Sequence, residues 1–389
     1  MLLLYICTLI MLLLCWFDQY YAAALETWPT FCPGAGKTAL ITGSSGGIGF
    51  YVARIMARCG YTIIVPKRTG FEDDAAGAVE GIQRETPGAT VIVPDTPLDL
   101  TSLDSCRAFG KAMVAEYKAL DVVCLNAGRG GAKDDPRDET DGMETIMLVR
   151  FYIKNDNSSI ENEDSSMILQ WKLKILLLKN DDSAQTNVYG HLVLAAELMP
   201  LLRATPGARM VTQSSGARML AKPEKVGDLD GTDAATFNGF DQYCLSKAAC
   251  VLMTQALNAR LEKAGVDITC MATDPGLTST GVNIQHQLSH SLMDTSFSAA
   301  AEAFDTTNKI HDAMGHHAAD GALAMALASM NGSPKRNDFY TTTVLGAPPP
   351  GAALTDAFVS PEAQPPWPAD ASETFWTQAV AKTGVDFGL

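Results

Sequence analysis

The feature that most constrains this chain is a glycine-rich turn. Thr42-Gly43-Ser44-Ser45-Gly46-Gly47-Ile48-Gly49 follows an apolar run, Lys37–Thr42, and opens a helical pattern that continues to about Arg58. The first N–H groups of a helix have no partner within it, and the helix dipole favours negative charge at the same end. A glycine turn that leads a strand into such a helix is therefore a ready phosphate cradle. In this context the pattern predicts a dinucleotide loop. Gly43 permits the tight turn, Gly47 lets the backbone approach a pyrophosphate, and Gly49 allows close helix–strand packing.

The chain around the loop keeps one rhythm. Short apolar strands are expected at Thr62–Val65, Thr90–Val93, Asp121–Leu125, Ala208–Thr212 and Asp267–Thr273. Helices are expected at Asp73–Thr86, at Ser102–Tyr117 with Ser102 as its cap, near 187–203 and near 240–264. Short continuous apolar strands alternating with helices imply a buried parallel sheet. The reading is α/β: a Rossmann-type doubly wound parallel sheet flanked by helices, in one domain over residues 37–389, behind an N-terminal apolar segment. No internal repeat is visible.

Charge excludes one class of partner. Lys and Arg total 29 against 44 Asp and Glu, a net charge of −15, and no Lys/Arg run exceeds two residues. Phosphate-backbone binding needs clustered cations, so nucleic acid is not an expected partner. The nine cysteines form no CxxC pair and read as free, mostly buried thiols. His286 and His290, and the adjacent His316 and His317, lack a third ligand at a recognisable spacing, so no metal site is expected.

Residues 1–24 differ from the rest. Met1 to Phe17 carries no charged side chain, is a little short of a bilayer span, and lacks the basic residue of a signal n-region. Tyr20, Tyr21 and Trp28 suit a membrane interface, and Ala22-Ala23-Ala24 suits a cleavage site. An uncleaved anchor through residues 1–17 and a cleaved signal both fit. The expected location is membrane-associated, on either face, or the lumen of an organelle or the secretory pathway.

The second strand runs into Pro66-Lys67-Arg68, and Arg68 lies 19 positions after Gly49. An acidic residue near this place bonds the ribose hydroxyl of NAD, whereas an arginine accommodates the 2′-phosphate of NADP. NADP(H) is therefore the expected cofactor, with NAD as the alternative. Glu72, Asp73 and Asp74 fall too late for the ribose contact.

Tyr243-Cys244-Leu245-Ser246-Lys247 lies early in a long helical pattern. Residues four apart share a helix face, so phenol and ammonium point into the same cleft. A free phenol ionises near pH 10, about three units above neutrality, and a neighbouring cation favours the phenolate needed for acid–base work.

The spacing TGxxxGxG, Asn126-Ala127-Gly128 after the fourth strand and YxxxK after the fifth together resemble the short-chain dehydrogenase/reductase family. The spacing of 28 positions from Ser215 to Tyr243 and the tail Glu373 to Val385 resemble its retinol dehydrogenase branch, related to the protochlorophyllide reductases. The chain departs from the latter: their long insertion is absent, and their cysteine two residues after the catalytic lysine is Ala249 here, with Cys250 one position later.

The resemblance implies hydride transfer between nicotinamide and a carbonyl or alcohol carbon of a small, lipophilic substrate. It makes Tyr243 the acid–base, Lys247 the ribose ligand that aids the tyrosine, Ser215 the holder of the substrate oxygen, and Asn187 the support of a water-linked proton relay. Ser214 is the neighbour with which Ser215 could be confused. The resemblance also places Ser45 and Ile48 of the loop, Asp99 and Leu100, Asn126, Ala127 and Gly128, and Pro275, Gly276, Thr278 and Thr280 around the cofactor. The loop from about Leu277 to Gly315 would cover the substrate. A homo-oligomer is compatible with all of this.

One stretch breaks the rhythm. Leu148–Ala184 lacks Gly and Pro, has Ala only at its end, and joins a polar run Asn155–Ser166 to a Lys/Leu run around Trp171–Lys179. Joining Met147 to Gln185 restores the family's helix leading to its asparagine. The segment reads as a retained intron translated in frame, or as an excursion looped out at the surface. It favours the main rival reading, a non-catalytic nucleotide-binding module; the complete Asn–Ser–Tyr–Lys set favours an enzyme. A nucleotide-sugar epimerase would carry TGxxGxxG, which is missing here.

Overall fold

The computed structural model describes residues 21–22, 24–30, 32–129, 182–230, 239–276, 278–279, 316–341 and 367–389. Expectations for Met1–Phe17, for Leu277 and Thr280, for His286 and His290, for most of the substrate loop and for all of Leu148–Ala184 except its last three residues lie outside them.

The sheet follows the alternation read from the sequence. Strand β1 (Thr38–Ile41) leads into helix α1 (Gly47–Arg58), then β2 (Thr62–Ile64), α2 (Glu72–Glu85), β3 (Val91–Ile92), α3 (Leu103–Glu116) and β4 (Val122–Leu125). Next come a helical turn Asp182–Ala184, a π-helical turn Gln185–Tyr189 and α4 (Gly190–Arg203), then β5 (Ala208–Gln213), α5 (Gly239–Lys263) and β6 (Ile268–Asp274). A short pair, β7 (Thr278–Ser279) and β8 (His316–His317), precedes α6 (Ala318–Met330), β9 (Phe339–Thr341) and α7 (Ala371–Thr383). Seven strands form one sheet in the order β3-β2-β1-β4-β5-β6-β9, every pairing parallel.

Local chemistry explains the boundaries. Gly60 turns the chain after α1 at φ +95, Ser102 caps α3 by accepting from Ser105 N, and Gly384 closes α7 in the left-handed region. Strand alternation splits the core into two layers. Leu40, Val123, Leu125 and Met210 face α3, α4, α5 and α7. Ala39, Ile41, Val122, Cys124 and Val211 face α1 and α6. The sequence reading missed α6 and β9. The all-buried, alanine-rich α6 has no polar face to give a period, and β9 is only three residues long.

The N-terminal expectation changes in part. Residues 24–30 form a helix, and Trp28 is 1% exposed in the core layer that includes α1. Tyr21 packs edge-on against Tyr51 with ring centroids 5.2 Å apart. Tyr21, Ala24 and Trp28 therefore face protein rather than a membrane interface, because their apolar area is already covered by α1 and its neighbours. The folded unit begins before residue 37. No helix among the described residues is long and apolar enough to cross a membrane.

At the other anomaly, Asp182–Ala184 is the helical turn that enters the π turn, and Ser183 and Ala184 are buried. The seven described cysteines are free thiols, six of them buried. Burial pushes the thiols of Cys59, Cys106, Cys124, Cys244 and Cys270 up to about 12, which makes them poor nucleophiles.

Candidate active site

Strand order reverses between β1 and β4, and in doubly wound sheets ligands bind at the carboxyl ends of the strands beside such a switch point. The glycine loop and the Asn126-Ala127-Gly128 turn meet there. The Thr42 hydroxyl accepts from the backbone N–H groups of Asn126 at 2.9 Å and Ala127 at 3.0 Å. Asn126 Nδ2 donates back to the Thr42 carbonyl at 2.9 Å. A side chain on Gly43 would stand 3.0 Å from Ala127 Cα, and one on Gly49 only 2.4 Å from the Gly43 carbonyl oxygen. Those glycines exist for contact. Gly47 differs: it sits at φ +52 with open space where a Cβ would be, as a backbone that receives a ligand requires.

A cleft of about 480 Å³ opens from this junction. Gly43 and Ser45 line it beside Lys67, Arg68 and Phe71, with Asp99, Leu100, Ala127, Gly128 and Thr186 also in its wall; Gly47, Ile48 and Gly49 do not line it. The Arg68 guanidinium lies 3.8 Å from the centroid of the Phe71 ring, a stack that holds a long side chain in one place. Asp99 uses Oδ1 to accept from the backbone and hydroxyl of Thr101, at 2.9 and 2.7 Å. Thr186 Oγ1 is buried without a hydrogen-bond partner among the described residues. A nicotinamide dinucleotide fits these residues: an open glycine backbone for its phosphates, cations at the end of β2, and a polar wall group awaiting a partner.

Beyond Gly128 the remaining candidates converge. Asn187 lies in the π turn, a distortion that often marks functional helices. Its side chain pairs with both backbone groups of Arg129, Oδ1 accepting at 2.9 Å and Nδ2 donating at 3.1 Å. Nδ2 also donates to Ser246 Oγ at 2.9 Å, and Ser246 Oγ donates to the Tyr243 carbonyl at 2.8 Å. Asn187 thus ties the end of β4 to the turn of α5 that carries Tyr243 and Lys247. Lys247 is 5% exposed; its Nζ donates to the Gln213 carbonyl at 3.3 Å and lies 5.9 Å from the Tyr243 ring centroid. A Cβ on Gly128 would come within 3.0 Å of Lys247 Nζ and 3.1 Å of Asn187 Oδ1, so glycine there keeps the space before both groups clear.

The two serines after β5 separate. Ser214 is buried and donates to the Lys247 carbonyl at 2.6 Å, a bracing bond. Ser215 is half-buried, and its Oγ accepts from Ala217 N at 3.2 Å, which leaves its proton to donate. After β6, Gly276 N–H bonds Asp274 Oδ1 at 2.9 Å, and Thr278 Oγ1 donates to the Pro275 carbonyl at 2.7 Å. The Asn187 carbonyl accepts from His191 Nδ1 at 3.1 Å and Cys250 Sγ at 3.5 Å.

Sequence reasoning missed Thr186 and Phe71 in the cleft wall, His191 against Thr42, and Arg218 near Ser215. A histidine one turn after Asn187 was the available signal. Nothing in the local pattern marks a buried Arg218.

An all-parallel doubly wound sheet with a glycine turn at its switch point defines a Rossmann-type fold. The sequence pattern described as short chain dehydrogenase matches residues 37–152. The chain is 32% identical to retinol dehydrogenase 12 of Bos taurus over 243 residues, covering 62% of this chain and 61% of the relative. It is 28% identical to polyprenol dehydrogenase of Mus musculus over 257 residues, covering 65% and 63%. A crystal structure of an uncharacterized protein from Mycobacterium paratuberculosis superposes with a TM-score of 0.56 at 22% identity, covering 93% of this chain and 98% of that one. Over these residues the chain is similar to the short-chain dehydrogenases, the retinol dehydrogenases among them. The match spans about three-fifths of the length of these curated relatives.

Proposed function

We propose that this protein is an NADP(H)-dependent oxidoreductase that interconverts a carbonyl and an alcohol on a small lipophilic substrate. The observation that carries the reading is the junction at Gly128. There the cofactor cleft meets Lys247 and Asn187, on the same turn of structure as Tyr243 and within one strand end of Ser215.

Each residue has a role in this reading. Ser45 and the backbone of Gly47 and Ile48 take the pyrophosphate at the start of α1, and Gly43 and Gly49 let the loop pack closely enough to offer it. Arg68, steadied on Phe71, takes the 2′-phosphate. Asp99 and Leu100 face the adenine side; Ala127, Gly128, Pro275, Gly276 and Thr278 face the nicotinamide side. The bound cofactor supplies or accepts the hydride. Ser215 holds the substrate oxygen through its hydroxyl proton, Tyr243 gives that oxygen a proton or removes one, and Lys247 holds the ribose while its charge favours the tyrosine's ionised form. Asn187 keeps Lys247 and Tyr243 in register by bridging Arg129 and Ser246. The lipophilic substrate class follows the retinol and polyprenol named in the relatives and the apolar residues in the sequence 277–315. The uncharged residues 1–17 support a membrane-associated location.

The test is a panel of retinoid, steroid and short aldehydes assayed with NADPH and NADH. Turnover with NADPH that favours the longer apolar aldehydes is expected. Absence of turnover with every aldehyde and both cofactors would leave a nucleotide-binding module instead.

A further inference from the structure

A buried ion pair joins the two strand ends on either side of the reacting centre. Arg218, in the 3₁₀ turn Gly216–Leu220, is 3% exposed, and Asp274, the last residue of β6, is 5% exposed. Arg218 Nη1 pairs with Asp274 Oδ2. The same guanidinium nitrogen donates to the Ser215 carbonyl at 2.9 Å. On the other side, Asp274 Oδ1 accepts the Gly276 N–H at 2.9 Å. The guanidinium carbon lies 4.3 Å from the centroid of the Phe339 ring in β9. A continuous chain of charge-assisted bonds thus runs from the backbone of Ser215, through guanidinium and carboxylate, to the backbone of Gly276.

Burying two charges is costly, and an apolar pair of the same volume is often as stable or more so. Stability alone therefore gives little reason for this pair to stand here. Its geometry is more informative, because a planar guanidinium fixes direction as well as distance. One end is anchored to the residue read as holding the substrate oxygen, the other to the turn read as facing the nicotinamide. A shift of about 1 Å between such groups can cost roughly a hundredfold in rate.

We propose that Arg218 and Asp274 form a positioning pair that sets the separation between the Ser215 hydroxyl and the Pro275-Gly276 turn, and so aligns substrate oxygen and nicotinamide for hydride transfer. Neither residue is a catalytic residue; both act through the backbone they hold. The kinetic part of the proposal rests on the reading under Proposed function, whereas the tie itself does not.

The experiment uses the full chain and three variants: Arg218→Lys, Asp274→Asn, and the double variant Arg218→Met with Asp274→Leu, which also removes the acceptor of the Gly276 N–H. The double variant leaves no unpaired buried charge, so it should melt within a few degrees of the wild type even if the single variants fold poorly. Two readouts are taken on folded protein. Amide hydrogen exchange at Gly276 reports the tie without any need for turnover, and it should quicken at least tenfold in the double variant. Steady-state reduction with NADPH and with 4-deuterated NADPH reports alignment. The expected result is a ten- to hundredfold fall in kcat, a larger primary isotope effect as hydride transfer becomes limiting, and an NADPH dissociation constant within threefold of the wild type. A double variant that folds, keeps slow exchange at Gly276 and keeps wild-type kcat and isotope effect overturns the proposal. A wild-type enzyme without turnover would refute the functional reading instead, and the exchange rate at Gly276 would then decide the tie on its own.

Discussion

Thr42 Oγ1 lies 2.9 Å from His191 Nε2, and counting donors makes the histidine the acceptor. The hydroxyl already receives two N–H groups, from Asn126 and Ala127, which use both its lone pairs. Its one proton is left to donate, to His191 Nε2 at 2.9 Å or to the more distant Cys124 carbonyl at 3.3 Å, and the imidazole proton sits on Nδ1, facing the Asn187 carbonyl, which can only accept. One neutral, fully buried ring thus links the glycine loop to the π turn that holds Asn187. Burial holds its pKa down at about 4, with the nearby Lys247 charge acting in the same sense.

That depressed value predicts acid sensitivity. Above pH 6.5 the ring is neutral folded and unfolded, and its contribution to stability is complete. Between pH 6.5 and about 4 only the unfolded chain takes up the proton, so stability falls as pH falls, by up to about 3 kcal/mol. Urea midpoints measured at pH 7.5 and pH 4.5 should drop less for His191→Gln than for the wild type. An equal drop in both would place the acid sensitivity elsewhere.

The N-terminal helix predicts a stability cost upstream of the nucleotide-binding elements. Trp28 is buried against the layer of α1, and truncating a buried tryptophan to alanine typically costs about 3–5 kcal/mol. Trp28→Ala should lower the melting temperature by several degrees, and a chain starting at residue 37 should fare at least as badly. A chain starting at residue 37 that melts with the full protein would remove residues 24–30 from the folded unit.

Arg68 is the predicted discriminator between cofactors. Loss of a hydrogen bond to a charged group costs about 1.5–3 kcal/mol, so Arg68→Ala should raise KM for NADPH roughly ten- to hundredfold. KM for NADH should change little. Phe71→Ala should produce a weaker version of the same split, since the ring only orients the guanidinium. Parallel changes for both cofactors would count against the 2′-phosphate assignment.

The sheet and most of the site were legible because their signals are local. A strand, a glycine turn and a helix follow one another along the chain, and Tyr243 and Lys247 share one turn of helix. Ser214 and Ser215 could not be separated by pattern, because which of two neighbours points inward depends on where β5 ends and the 3₁₀ turn begins. His191 and Arg218 were missed for a related reason. Their partners lie far along the chain, such as Thr42 at 149 residues from His191 and Asp274 at 56 from Arg218. The helix at 24–30 was masked by its neighbour: an apolar run beside a Tyr and Trp reads as membrane-facing until a packing partner such as Tyr51 is known.

The anomalous segment Leu148–Ala184 gives a further expectation. Ser183 and Ala184 are buried in the turn that enters Asn187's helix, so the helix needs residues of some kind there. Two deletions are informative: one removing 148–184, which brings Ile146-Met147 to those places, and one removing 148–181. At least one should match or exceed the full chain in activity and melting temperature. If the full chain is more active and more stable than both, the segment belongs to the working fold.

The central claim is that Tyr243 carries the proton in a hydride-transfer reaction. It is tested most directly by NADPH oxidation with an apolar aldehyde in wild type and Tyr243→Phe, with NADPH binding measured on the same samples. The ring of the variant still packs in its buried place and only the phenol oxygen is lost. The account predicts a fall in kcat of at least a thousandfold, about 4 kcal/mol at the transition state, with the NADPH dissociation constant unchanged within a few-fold. Near wild-type turnover in Tyr243→Phe would contradict it.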